Sequence, residues 1–315
     1  MLITFAKQAT IPDRLNDFYE AAFTTLFNEH DATKDAYKRD IRTGLSCEDF
    51  KRVFAHFCFK SYFREEYEFT EAKLHGYIHD AKEKIKINNF KVEDFQDDLL
   101  HSVCMLVKDG LNYSFSHRSF QEYFAAWYTC KLTDDVVARF LLEWLKKSNS
   151  INSDSYLTML YDMQSERVSK IVFCPILKEV KAKYEQHGGF TRGFVSELLG
   201  IGSMPVSNSN TEELRADFYI SNSLTMETLI LVLRLNKYDF KYGIKQEQTT
   251  AKKIRDAQKV GLSVKDILEV LDDEEFIHLF EWFHEWFLFA FSLLDQYTDD
   301  SFTKKMDITS MLEDL

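Results

Sequence analysis

Cys104-Met105-Leu106-Val107-Lys108-Asp109-Gly110-Leu111-Asn112-Tyr113-Ser114-Phe115 is the stretch on which the fold turns. Apolar residues alternate on both sides of Asp109-Gly110, and a period of two marks a strand with one buried face. Asp-Gly between two such runs supplies the positive φ angles of a tight hairpin. The stretch predicts two short strands around a turn.

Helices surround it. Upstream, Ser46-Cys47-Glu48-Asp49 puts a serine at a helix start with an acid three residues on, approximating a capping box. Phe50, Val53, Phe54, Phe57 and Cys58 then recur at helical spacing. Thr70 is expected to cap the next helix, through about Lys84, and 92–103 makes another. Three helices, a hairpin and a further helix is the order of a winged helix, with the hairpin as wing. Earlier still, Pro12-Asp13-Arg14 opens a stripe of Leu15, Phe18, Tyr19, Ala22, Phe23, Leu26 and Phe27 that reads as a helix. Gly44 interrupts before the next one.

Beyond Leu132 the text is harder. Loops at 148–153 and 200–210 separate helical segments at 136–147, 155–163, 194–199, 225–235 and 263–271, with no fixed-period repeat. The chain is therefore read as mainly α. A helical segment spans 1–45, a winged-helix domain 46–132, and a helical C-terminal sensor or regulatory domain 133–315.

Composition agrees. The 315 residues hold 28 Phe against 10 Gly and 3 Pro, which suits helices better than a turn-rich β fold. Residues 272–315 carry twelve acidic side chains against two lysines, a net of −10 within a total of −12. Such a terminus repels phosphate backbones and favours solubility. Five scattered cysteines without a C-x-x-C pair, and no signal peptide, point to reduced thiols in the cytoplasm. Phe276 to Leu294 is apolar but holds His278, Glu281, His284 and Glu285, so no membrane span is expected.

The chemistry centres on Phe115-Ser116-His117-Arg118-Ser119-Phe120-Gln121-Glu122-Tyr123-Phe124-Ala125-Ala126. Ser119 and Glu122 have capping-box spacing, which places a helix start at Phe120. His117 then sits between a strand end and a helix N-terminus, where free amides favour anions. A phosphate contact and a purely structural cap both fit that position.

The twelve residues resemble the F-x-H-x-S-F-Q-E-Y/F-F-A-A motif that closes the winged-helix domain of NACHT-family STAND NTPases, among them animal NOD-like receptors and bacterial antiviral sensors. Ile11-Pro12-Asp13-Arg14-Leu15 with Phe18-Tyr19 is similar to the family's helical segment ahead of that domain. Asp98-Leu99-Leu100 and Leu106 to Phe115 also follow its order. The resemblance covers residues 1 to about 132. It implies that His117 contacts the β-phosphate of ADP and holds a closed state, with Phe115, Ser119, Phe120, Gln121 and Glu122 as the structural motif.

No G-x-x-x-x-G-K-[ST] occurs, and Gly188-Gly189-Phe190-Thr191-Arg192-Gly193 lacks the phosphate-reaching lysine. No cofactor is therefore expected in this chain alone. ADP or ATP would be held by the NACHT ATPase core, in the same parent chain or a split partner, and no enzymatic activity is expected without it. By resemblance the chain is a regulatory or sensor fragment in bacterial antiphage defence, responding to an unknown phage or host trigger. The alternative is a stand-alone helical adaptor that self-associates through the aromatic helix 276–294.

Other chemistries are weaker. His278, Glu281 and Glu285 share a helix stripe from which His284 departs, without H-E-x-x-H spacing, so no metal site is expected. Arg52 and His56 are one residue short of a helical-RNase pattern. Glu93, Asp94, Asp97 and Asp98 oppose DNA binding by 92–103, and no nucleic-acid partner is expected.

Overall fold

A computed structural model of the protein describes residues 14–28, 41–147, 154–199, 224–239, 253, 256 and 264–298. The loops expected at 148–153 and 200–210, the start at Pro12 and the acidic residues 299–314 lie outside the described residues.

The chain divides into two compact units, Met1–Phe140 with Ser153–Val168, and Leu141–Asn152 with Ser169–Leu315. The first holds α1 (Leu15–Asn28), α2 (Cys47–Tyr62), β1 (Glu68–Thr70), α3 (Glu71–Ile85), α4 (Val92–Asp97), β2 (Leu106–Asp109), β3 (Asn112–Phe115), α5 (Arg118–Thr129) and α7 (Tyr156–Val168). The chain passes between the units within α6 (Asp134–Lys147).

Ser46 caps α2 as its sequence predicts, its Oγ accepting the Asp49 amide at 3.1 Å. Phe50, Val53, Phe54, Phe57 and Cys58 are all fully buried. The same stripe meets α5, where Phe124 lies edge-on to Phe54 with ring centroids 4.8 Å apart. Ala125 and Ala126 are fully buried beside it. Phe50, Val53, Phe54, Phe57 and Phe124 are fully removed from water and contribute about 1.5–3 kcal/mol each, so α2 and α5 form the centre of this unit.

The hairpin is present, in a three-stranded antiparallel sheet ordered β1-β3-β2. Asp109 pairs with Asn112, so the two turn residues are Gly110 and Leu111, one position later than expected. Gly110 alone takes a positive φ, +59°, the position a glycine-first hairpin turn requires. Tyr113 and Phe115 face the core, while Val107 and Leu111 are exposed. β1 has no counterpart in the sequence reading. Thr70 does precede α3, but its side chain makes no capping bond, because the residue is also the last of β1.

α4 continues into a π-helical turn, Asp98–Ser102. There the fully buried Asp98 carboxylate accepts the amides of Arg42 (2.8 Å) and Thr43 (3.0 Å) and the hydroxyls of Thr43 and Ser102 (2.9 Å each). A buried carboxylate survives only with such satisfaction. It pins residues 42 and 43 immediately ahead of α2.

The second unit holds α8 (Cys174–Gln186), α9 (Arg192–Leu199), α10 (Leu224–Leu235), α11 (Val264–Val270) and α12 (Asp273–Thr298). The expected helices at 194–199, 225–235 and 263–271 are there, and α8 is additional. Phe280, Phe283, Trp286, Phe287 and Phe291 of α12 are buried in this unit, with Phe194 against Phe287 at 5.2 Å. Arg192 donates to the carbonyls of Leu268 and Leu271 (3.0 Å each), closing the C-terminus of α11. His278, Glu281 and Glu285 lie exposed along α12, the wet edge read from the sequence. His284 instead stacks on Phe190 at 4.5 Å and meets the Tyr184 hydroxyl at 3.0 Å. Among the described residues no helix is long and apolar enough to cross a membrane, and no group of side chains is set to hold a metal.

Candidate functional site

The site grows from the last residues of β3. Phe115 buries its ring against Phe57, stacked at 5.5 Å. Ser116 then closes the hairpin, its amide and hydroxyl both donating to the Met105 carbonyl at 2.9 and 3.2 Å. His117 follows on this fixed strand end, extended at φ −151°, ψ 126°.

α5 starts at Arg118, and His117 is its cap. The capping box expected of Ser119 and Glu122, with a start at Phe120, does not form. Nδ1 of His117 accepts the Ser119 amide at 3.3 Å and also contacts the Ser119 hydroxyl. Nδ1 stands as many bonds from Cα as the side-chain oxygen of Asn, so an unprotonated imidazole reaches the same orphan amide. Histidine outside the usual capping residues is why the sequence reading placed the start two residues late.

Each remaining polar residue of the motif ties α5 to a different element. Gln121, fully buried, donates from Nε2 to Ser61 Oγ (2.8 Å) and the Glu66 carbonyl (3.0 Å), holding the turn after α2. Glu122 accepts the Ser155 amide at 3.2 Å at the start of α7 and lies 3.4 Å from Arg118. Burial, then the neighbouring Asp154 charge, pushes its carboxyl above the usual glutamate range. Tyr123 donates to the Glu20 carboxylate on α1, and Lys51 pairs with that same carboxylate. Arg118 lies over the Tyr67 ring at 4.2 Å and within 3.6 Å of Asp154, so its charge is already engaged.

Beside His117 opens an apolar cleft of about 330 Å³, at the small end of ligand-site volumes. Phe18, Tyr19 and Leu26 of α1, with Cys104, His117 and Phe120, line it. Phe120 meets Tyr19 edge-on at 5.2 Å. His117 is exposed, and its Nε2 has no hydrogen-bond partner among the described residues. The site offers the imidazole Nε2 of His117, without a partner among the described residues, beside the amino end of a twelve-residue helix and an aromatic wall. That set can bind an anion through the imidazole, while the hydroxyl nearest it, that of Ser119, is buried against the other ring nitrogen. His56, the RNase candidate, is buried against Tyr128, with its basicity pushed down to about 4 by burial.

Residues 161–315 match the model of the Short NACHT-associated C-Terminal domain, family 7. The chain carries a C-terminal portion of a NACHT protein. The matched stretch takes in α8 to α12 and leaves the His117 motif outside. No curated protein and no solved structure matches this NACHT portion.

Proposed function

We propose that residues 46–132 are a winged-helix module, and that His117 within it contacts a phosphate of ADP held by the ATPase core of a NACHT protein. The order α2-β1-α3-α4-β2-β3, with strands arranged β1-β3-β2, supports the module, and the β2–β3 hairpin is its wing. In this reading the chain is regulatory, without an enzymatic step of its own, and works in the cytoplasm of a bacterium as part of an antiphage sensor. The ADP contact restrains the core, and the C-terminal helices meet the trigger. Exposed Glu93, with Asp94 and Asp97, keeps α4 from serving as a DNA-reading helix.

The Nε2 of His117, exposed at the start of α5 and without a partner among the described residues, is the observation that carries the phosphate contact. The test is the parent protein with its P-loop half, purified with and without His117→Ala. A hydrogen bond to a charged group contributes about 1.5–3 kcal/mol, so ADP is expected to bind about 10- to 100-fold more weakly in the variant. Unchanged ADP content and unchanged signalling defeat the proposal. Self-association through α12 has less to offer than its sequence promised. Its described aromatic residues are largely buried in the unit's own core, and among the described residues Ile277 and Leu288 are the large apolar ones exposed on that helix. Size exclusion with the separately expressed ATPase half distinguishes the two readings: binding supports the core partnership, whereas self-assembly without binding supports the adaptor.

A further inference from the structure

We infer that Ser119 is the positioning residue for His117, holding its imidazole in the Nε2–H form and fixing where that proton points; the inference deepens the proposed phosphate contact and rests on it for its functional meaning. The Ser119 amide is 3.3 Å from Nδ1, and the Ser119 hydroxyl touches the same nitrogen. An amide N–H has no acceptor character, so a proton on Nδ1 would face it head-on. Nδ1 must therefore present its lone pair, shared between the amide and the hydroxyl, both of which donate. In a neutral ring the proton then resides on Nε2.

Three features fix the direction of that donor. The backbone of residue 117 follows a strand whose hairpin is closed by Ser116 onto Met105. Nδ1 is tied to the second residue of α5. Ser119 is itself buried, so its hydroxyl has little freedom to swing away. The ring thus has both ends assigned: Nδ1 belongs to the helix, and Nε2–H is left for a ligand. A neutral donor of fixed direction suits an anion whose charge is balanced elsewhere, such as a nucleotide phosphate already held by a lysine and a metal ion.

The experiment separates the two ends. Two-bond nitrogen–proton NMR of the full chain at neutral pH, with the His117 signals identified as those lost in His117→Asn, is expected to show Nε2 protonated and Nδ1 bare. Ser119→Ala keeps the amide but removes the hydroxyl, so it should keep the tautomer while shifting the ring nitrogen signals of a loosened imidazole, and Ser119→Thr should restore the original pattern. A proton on Nδ1, or a Ser119→Ala spectrum identical to that of the unsubstituted chain, overturns the inference. Thermal unfolding gives a second reading. His117→Asn should keep the cap, while His117→Ala should lower the midpoint by about 2–4 °C; equal losses in both variants overturn the capping role. Neither measurement uses nucleotide. If both succeed and the parent carrying His117→Asn still retains ADP fully, the phosphate reading fails and the tautomer assignment stands.

Discussion

Asp98 sets the sharpest test of how the chain ahead of α2 is held. Its buried carboxylate takes four hydrogen bonds, two of them from the amides of Arg42 and Thr43. In Asp98→Asn the shape is kept, but one oxygen becomes an NH2 that faces donors. The remaining oxygen serves two of the four partners. Hydrogen bonds to charged groups contribute about 1.5–3 kcal/mol each, and losing two is partly offset because a charge is no longer buried. The net loss is about 3 kcal/mol. Urea unfolding should show that loss, and hydrogen exchange should localise it. The Arg42 and Thr43 amides are expected to exchange about 100-fold faster, since each 1.4 kcal/mol is a factor of ten. Ser102→Ala, which removes one bond, should cost about 1 kcal/mol. A loss under about 0.5 kcal/mol for Asp98→Asn, with protection of both amides intact, would mean that something other than this carboxylate holds residues 42 and 43.

Three other measurements bear on the motif and its surroundings. Gln121→Leu keeps the volume but leaves the buried Ser61 hydroxyl and the half-buried Glu66 carbonyl without their donor, and chemical denaturation should register a loss of about 2 kcal/mol. Glu122 has a raised folded-state pKa, so its favourable contribution is complete below the ordinary glutamate value of about 4.3 and fades as pH rises through the folded value. Glu122→Gln should therefore flatten the fall of stability with rising pH in the weakly acid range; an unchanged slope counts against the assignment. His56 shows the opposite trend. With its pKa lowered to about 4 by burial, against the opposing charge of Asp80, it stays neutral in the fold while the unfolded chain takes up a proton below about 6.5. Stability should drop by about 2–3 kcal/mol from pH 7 to pH 4 on its account, and His56→Leu should remove that part of the drop.

Much of the scaffold could be read before any coordinates. The aromatic repeats of α1, α2 and α12, the Ser46 cap and the hairpin around Gly110 are local signals, carried by spacing or by one residue's conformational freedom. β1 escaped notice because three residues, Glu68-Phe69-Thr70, are too few to alternate visibly. They form a strand only because β3 is there to pair with them. α8 lay unannounced between a π-helical turn and two positive-φ glycines, Gly188 and Gly189. At the site, the sequence reading paired Ser119 with Glu122, and the fold pairs each elsewhere. Glu122 is three positions from Ser119 in the text, but its hydrogen bond goes to Ser155, thirty-three residues away. Spacing has no means of weighing a partner that only the fold delivers.

The division of labour within the imidazole of His117 has an evolutionary corollary. Gln121, Glu122 and Tyr123 hold three separate parts of the unit together, so selection for folding alone preserves them, and their presence in a relative says little about nucleotide. Nδ1 is likewise protected, because α5 needs its cap. Under the proposed phosphate contact, Nε2 alone answers to a ligand. On that proposal, a lineage that abandons nucleotide can exchange His117 for asparagine and keep its helix start, while one that retains nucleotide cannot. The letter at this one position is therefore a better record of descent through loss than the eleven around it.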